Sequence, residues 1–210
     1  MRENSPAIRV LIVDDHPVLR AGVAAMLGNH SDMVVVGEAG DGAEALDQFR
    51  TLHPDVVVMD LQMPGTNGVE ATAAIRAEAP SAKILVLTTY AGDVQAVRAL
   101  RAGATGYLLK NSLRTGIVDA VRSVHAGRRH IDPAVSEQIA LHVADDPLTE
   151  RELSVLELVA LGHANKQAAA ELGLAEETVK AHLKNIFLKL DVNDRTRAVT
   201  VAIERGILGG

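Results

Sequence analysis

The sequence predicts an α/β domain with five parallel strands in a doubly wound sheet, followed by a small domain built only of helices. Two observations predict this combination. Short apolar runs alternate with amphipathic stretches through the first part of the chain, and the periodicity is purely helical after Pro147. We place the domain limits at 1–127 and 148–210, with a linker over 128–147.

Five strands and five helices alternate in the first domain. The predicted strands are Val10–Val13, Val34–Val36, Val56–Met59, Ile84–Leu87 and Tyr107–Leu109. The predicted helices lie near Val18–Leu27, Ala43–Leu52, Val69–Glu78, Val94–Ala102 and Ile117–His125. Such alternation implies right-handed crossovers and a sheet that helices cover on both faces. Ligands of these sheets gather outside the carboxyl ends of the strands.

The linker differs in composition from both neighbouring segments. Residues 131–148 contain four acidic residues and no lysine or arginine. Asp132-Pro133 suits a helix start, so we predict one helix over Pro133–Val143, which Ala144–Pro147 ends.

Four helices are predicted after Pro147. Thr149 and Glu152 form a capping-box pattern at the start of the first helix, and Gly162 ends it. The other three are predicted over Lys166–Leu172, Glu176–Leu190 and Arg195–Glu204. The short connection at Gly173-Leu174 gives the second and third helices the spacing of a helix-turn-helix.

Composition excludes several functions. The chain has 210 residues, a net charge of -6 and no cysteine, which excludes disulfides, thiolate nucleophiles and cysteine-based zinc sites. Aromatic residues make up 2%, which disfavours proteins that stack single-stranded bases. The sequence has no apolar run of the roughly 20 residues that span a membrane and no signal-peptide core. We therefore expect a cytoplasmic protein without a membrane partner.

Three aspartates end two of the predicted strands. Asp60 follows Val56–Met59, and Asp14-Asp15 follow Val10–Val13. Clustered carboxylates raise one another's pKa, so such a site favours a hard divalent cation. A carboxylate next to a bound cation is a natural acceptor for a phosphoryl group.

Two further polar residues end strands on the same predicted rim. Thr88 ends the fourth strand and Lys110 the fifth. A hydroxyl donates to a phosphoryl oxygen, and an ammonium group pairs with its charge. Each residue alone is typical of a solvated strand end, but the set of five indicates a site.

Residues 8–127 resemble the receiver domain of response regulators, which has a flavodoxin-like fold. The matching segments are 13–16, 59–65, 87–89 and 103–110. The resemblance implies that a sensor histidine kinase phosphorylates Asp60. It also implies Mg2+ bound by Asp15, Asp60 and the backbone carbonyl of Gln62, with Asp14 helping through water.

The same resemblance implies a switch pair, Thr88 and Tyr107, and a phosphoryl contact from Lys110. Asn111 follows that lysine, where many receivers have proline. Relatives with an all-helical output domain often lack this proline.

The third helix of the second domain has an apolar stripe and a polar face. The stripe consists of Val179, Leu183, Ile186, Phe187 and Leu190. Lys180 and Lys184 lie one turn apart on another face, with Ala181 nearby. Long donors around a small residue suit a helix in the major groove of double-stranded DNA.

Residues 148–208 resemble the LuxR-type output domain of NarL/FixJ response regulators. The matching segments are 148–153, 165–169, 177–183 and 189–196. The resemblance implies the following contacts: bases for Lys180, Ala181 and Lys184, and phosphates for Lys166, Thr178 and Lys189. Ala168 stands where isoleucine is usual, which we expect to loosen the packing between helices.

Three lysines on the third helix predict modest affinity for one module, so we expect a phosphorylated homodimer on two half-sites of promoter DNA. The helix over Arg197–Ile203 is the expected dimer contact. The chain is thus predicted to be a transcription regulator and no turnover enzyme.

Two alternatives stay open. The first is a Mg2+-dependent phosphohydrolase with Asp60 as nucleophile; such enzymes usually carry a second aspartate where Gln62 stands. The second is a DNA-binding protein that does not respond to phosphorylation.

Gly37–Gly42 reads G-x-x-G-x-G, which favours a turn with Asp41 as N-cap over a dinucleotide site. His16 is nearest to the acidic pocket and is placed to tune it.

Overall fold

A computed structural model describes residues 6–89, 93–142 and 146–208. The chain divides into two compact units that separate near residue 137. Among the described residues, no helix is both long enough and apolar enough to cross a membrane.

The first unit contains a parallel sheet with helices on its faces. Its strands are β1 (Ile8–Val13), β2 (Met33–Ala39), β3 (Val56–Asp60), β4 (Ile84–Thr88), β5 (Gly106–Leu109) and β6 (His130–Ile131), in the order β2-β1-β3-β4-β5-β6. Its helices are α1 (Pro17–Gly28), α2 (Gly42–Leu52), α3 (Gly68–Glu78), α4 (Asp93–Ala102) and α5 (Leu113–His125). The doubly wound parallel fold predicted from the sequence is confirmed, and each predicted element is found.

Local chemistry explains where these elements begin and end. Strands β3 and β4 are buried along their whole length, as expected for apolar runs covered on both faces. The predicted N-cap of α2 is confirmed, since the Asp41 carboxylate accepts from the amides of Ala43 and Glu44. Asn67 and Glu70 form a capping box at the start of α3.

The prediction of five strands omitted a sixth. His130 and Ile131, which we assigned to the linker, form β6 and pair in parallel with Gly106 and Tyr107 of β5. Two residues after a polar run are too few to show strand periodicity, so β6 could not be predicted from the pattern of apolar residues. Helix α6 (Pro133–His142) follows at the predicted start. The predicted last residue, Val143, lies outside the described residues.

The second unit has four helices after the linker. They are α7 (Glu150–Ala160), α8 (Asn165–Leu172), α9 (Glu176–Lys189) and α10 (Arg195–Glu204), within a residue or so of the prediction. The predicted capping box of Thr149 and Glu152 is confirmed. Gly173 ends α8 at a φ of 65°, where a side chain would be strained, and so permits the tight connection to α9.

Candidate functional site

Four side chains meet at the carboxyl ends of β1 and β3. Ligand atoms of Asp14, Asp15, His16 and Asp60 all lie within 4.8 Å of one another. They meet because β1 and β3 are neighbours and Val13 pairs with Met59 just before the aspartates. Asp14 and Asp60 are each only 1% exposed, so two carboxylates of this cluster, the acidic pocket, are shielded from water.

Lys110 joins the two buried carboxylates. It begins a single 3-10 turn after β5, and its Nζ lies 2.7 Å from Asp14 Oδ2 and 2.8 Å from Asp60 Oδ2. Burial raises the pKa of Asp60 and outweighs Lys110, which acts to lower it, while Asp14 adds to the rise. Burial acts to lower the pKa of Lys110, but Asp14 and Asp60 hold it above its usual value.

The pocket holds more negative charge than the lysine compensates. Three carboxylates face one ammonium group, and His16 Nδ1 lies 2.6 Å from Asp15 Oδ1 and 3.2 Å from Asp14 Oδ1 on a ring that is 69% exposed. Hard oxygen donors in excess of their cations are the donor set that Mg2+ prefers. The residues present therefore fit a magnesium ion.

Two backbone contacts shape this rim. The amide of Gln62 donates to the Asp60 carboxylate and acts to lower its pKa. Arg20 donates from Nη1 to the Asp14 carbonyl at 2.6 Å and from Nε to Glu38 at 3.3 Å. Sequence reasoning missed Arg20, because its reach to the pocket depends on how α1 packs beside β2.

Thr88 and Tyr107 lie beside each other on neighbouring strands, β4 and β5. They are 1% and 0% exposed, and the Thr88 side chain lies close enough to the Tyr107 hydroxyl to act on its pKa. Burial raises the pKa of Tyr107 to about 12, although the Thr88 contact acts to lower it. Tyr107 is therefore neutral and held inside the protein.

The second unit presents α9 with one buried face and one exposed face. Val179, Leu183 and Ile186 are buried in the core of the unit, as predicted. The exposed set comprises Lys166 on α8 and Thr178, Lys180, Ala181 and Lys184 on α9. Lys180 is held by Glu177 Oε1 at 2.8 Å and Glu176 Oε1 at 3.4 Å.

Lys189 stands apart from the other predicted DNA contacts. Its side chain is only 17% exposed, and its Nζ lies 2.9 Å from Glu152 Oε2. The same nitrogen lies 3.0 Å from the Pro147 carbonyl and 3.3 Å from Asp146 Oδ2. Sequence reasoning missed this pairing because Lys189 and Glu152 are 37 residues apart and meet only through the packing of α9 on α7.

The acidic pocket on a parallel sheet and the helix-turn-helix together define a regulator with an input domain and a DNA-binding domain. Residues 10–122 match the family described as response regulator receiver domain. Residues 146–202 match the bacterial regulatory proteins of the luxR family. The chain belongs to the two-component response regulators with a LuxR-type DNA-binding domain, a family of DNA-binding transcription regulators.

Relatives span nearly the whole chain. The response regulator protein VraR of Staphylococcus aureus is 39% identical over 206 residues, covering 96% of this chain and 99% of VraR. The solved structure of ChrA, the response regulator of a heme-sensing two-component system, is 40% identical, covers 97% of this chain and 100% of ChrA, and superposes with a TM-score of 0.59. A structure of two RcsB dimers bound to two parallel DNAs is 25% identical, covers 94% and 98%, and has a TM-score of 0.72.

Proposed function

We propose that Asp60 is the phosphoacceptor and that a sensor histidine kinase is its phosphodonor. The supporting observation is the position of Asp60, which shares a buried pocket with two other aspartates and contacts Lys110. A carboxylate oxygen of Asp60 attacks the phosphorus of the kinase phosphohistidine. The new P–O bond forms as the P–N bond breaks, and the histidine ring leaves.

Mg2+ is the proposed cofactor of this step. Asp15, Asp60 and the backbone carbonyl of Gln62 would hold it, and Asp14 would help through water. A bound magnesium ion supplies charge neutralisation between the anionic donor and the anionic acceptor. Lys110 is already oriented toward Asp60, so its ammonium group pairs with the arriving phosphoryl oxygens.

Thr88 and Tyr107 form the proposed switch. Phosphorylation replaces the single negative charge of the Asp60 carboxylate with a group that carries roughly 1.5 to 2 negative charges and three strong acceptors. The Thr88 hydroxyl then donates to a phosphoryl oxygen and moves away from Tyr107. Because both side chains are buried, their neighbours must repack. This repacking changes the relative stability of two conformations of the chain.

The output is proposed to be binding of a homodimer to double-stranded promoter DNA, with α10 as the dimer contact. Lys180, Ala181 and Lys184 face the bases, and Lys166 and Thr178 contact phosphates. Lys189 keeps its proposed phosphate contact on one condition. Its ammonium group has three hydrogens and three present partners, so a phosphate must displace the weakest of them, Asp146, which is 77% exposed.

The proposed domain limits remain 1–127 for the receiver, 128–147 for the linker and 148–210 for the DNA-binding domain, with β6 as an extension of the receiver sheet. A regulator of this kind acts in the cytoplasm, where its DNA lies. We propose that it does not turn over an external substrate.

The test is the substitution Asp60→Asn in the full chain. Wild type, incubated with Mg2+ and acetyl phosphate, is expected to gain affinity for genomic fragments in a gel shift, and D60N is expected to gain none. Asp47→Asn is the matched control, because Asp47 is an exposed aspartate of α2. A D60N protein that still responds would refute the proposal, and steady hydrolysis of small phosphate esters would favour the phosphohydrolase.

A further inference from the structure

Strand β6 returns the chain to the sheet just before the linker helix. The amide of Asp132 donates to the Tyr107 carbonyl at 2.9 Å, and the amide of His130 donates to the Thr105 carbonyl at 3.4 Å. A Cβ on Gly106 would lie 2.7 Å from Val124 Cγ2 and 3.1 Å from the His130 carbonyl. The glycine therefore permits the close approach of β5, β6 and α5.

Asp132 bonds to the sheet through its amide and caps the start of α6 through its side chain. Its side-chain Oδ1 accepts from the amide of Ala134 at 3.1 Å, and its carbonyl accepts from Val135 and Ser136 at 3.0 Å each. Asp132 is 6% exposed and Val135 is 0% exposed, so the first turn of α6 is fixed against the first unit. A carboxylate is favourable there because it faces the positive end of the helix.

Tyr107 connects this helix start to the acidic pocket. Its side chain contacts Thr88, which lies on the pocket rim, and its carbonyl binds the Asp132 amide. The backbone that carries the Tyr107 ring is therefore bonded to Asp132, whose side chain in turn caps the start of α6. The route from Thr88 to α6 thus passes through two buried residues, Tyr107 and Asp132.

We propose that Asp132 is a positioning residue that couples Tyr107 to the start of α6. In this role, Asp132 transmits the repacking of Thr88 and Tyr107 to the segment that leads into the DNA-binding domain. The inference rests on the proposed function, because the signal begins with phosphorylation of Asp60. The inference requires that a variant without the Asp132 side chain is still phosphorylated, while phosphorylation no longer raises its DNA affinity as it does in wild type.

The experiment compares full-length wild type, Asp132→Ala, Asp132→Asn and the control Glu137→Ala. Asparagine caps helices about as well as aspartate, so it is the conservative rescue, and Glu137 is an exposed acid of the same helix. Each protein is treated with Mg2+ and acetyl phosphate. Its phosphorylated fraction is read on a phosphate-affinity gel, and its affinity is measured on fragments selected with wild type.

D132A is expected to be phosphorylated like wild type. Its gain in DNA affinity on phosphorylation is expected to be smaller than that of wild type by about fivefold or more, which is the lower end of the range of allosteric coupling. D132N and E137A are expected to keep the gain. A wild type that gains nothing would refute the proposed function instead. A D132A protein that is phosphorylated and gains as much as wild type would overturn the role of Asp132.

If D132A does not fold, hydrogen exchange of wild type provides an independent test. Phosphorylation is expected to change the protection of the amides of Asp132 and residues 134–136, which link β5 to the first turn of α6. Unchanged protection there, in protein whose DNA affinity has risen, would also overturn the proposal.

Discussion

Two lysines of this protein, Lys110 and Lys189, are each held between two carboxylates, and the two units use the arrangement differently. Both lysine side chains are 17% exposed. Lys110 bridges Asp14 and Asp60, which are both buried, whereas Lys189 bridges buried Glu152 and exposed Asp146. The geometry is similar, but the charge balance around each lysine differs.

The acid partners show the difference in their pKa values. Burial raises the pKa of Asp60 despite Lys110, and Asp14 raises it further. Burial also acts to raise the pKa of Glu152, but the Thr149 amide and Lys189 outweigh it and hold that pKa below its usual value. Lys110 therefore neutralises the carboxylates of the acidic pocket only in part, whereas Lys189 neutralises Glu152. A fully neutralised ion pair is suited to a structural role, and a partly neutralised one to binding a cationic ligand.

The largest expected effect follows from Lys110→Met. Without the ammonium group, Asp14 and Asp60 face each other uncompensated, and the receiver is expected to lose about 3 kcal/mol of unfolding free energy. Mg2+ is expected to recover part of this loss, because a cation in the pocket takes over the neutralisation. Urea unfolding of K110M and wild type, each with and without Mg2+, measures both effects.

The control for this prediction is Lys83→Met, since Lys83 donates to the carbonyl of His125 and faces no aspartate in that contact. Any loss in K83M should be insensitive to Mg2+. If Mg2+ stabilises K110M no more than K83M, the carboxylates of the pocket do not bind a cation, and the proposed difference between Lys110 and Lys189 is refuted.

The sequence predicted the acidic pocket well and the Lys189 site poorly, for a physical reason. Asp14, Asp60 and Lys110 end strands, and a parallel sheet brings the carboxyl ends of its strands together whatever the details of packing. No comparable rule predicts which side chain on α9 meets Glu152 on α7, because that depends on the packing of two helices. Strand β6 was missed for a third reason, since two residues carry no periodicity.

A smaller effect is expected from pH at Glu152. Because its folded pKa lies below the ordinary value of 4.5, ionised Glu152 stabilises the second unit above that pH. This contribution is lost as the pH falls through the lowered folded pKa. Hydrogen exchange of α7, corrected for intrinsic rates, is expected to show easier opening as acid is added. Glu152→Gln should open equally across this range, and a pH response retained in E152Q would assign the effect to another group.

The smallest effect is expected from Asp146→Asn. Its carboxylate is 77% exposed and lies 3.3 Å from Lys189 Nζ, so water and salt screen the pair and its loss should cost less than about 1 kcal/mol of unfolding free energy.

The DNA affinity of D146N is more informative than its stability. If Lys189 contacts a phosphate by displacing Asp146, D146N removes a competitor, and binding should tighten modestly with a steeper dependence on salt. Asp47→Asn, at an exposed aspartate of α2, serves again as the control. Equal affinity and equal salt slopes for D146N and wild type would leave Lys189 a purely structural residue and would make the contrast with Lys110 complete.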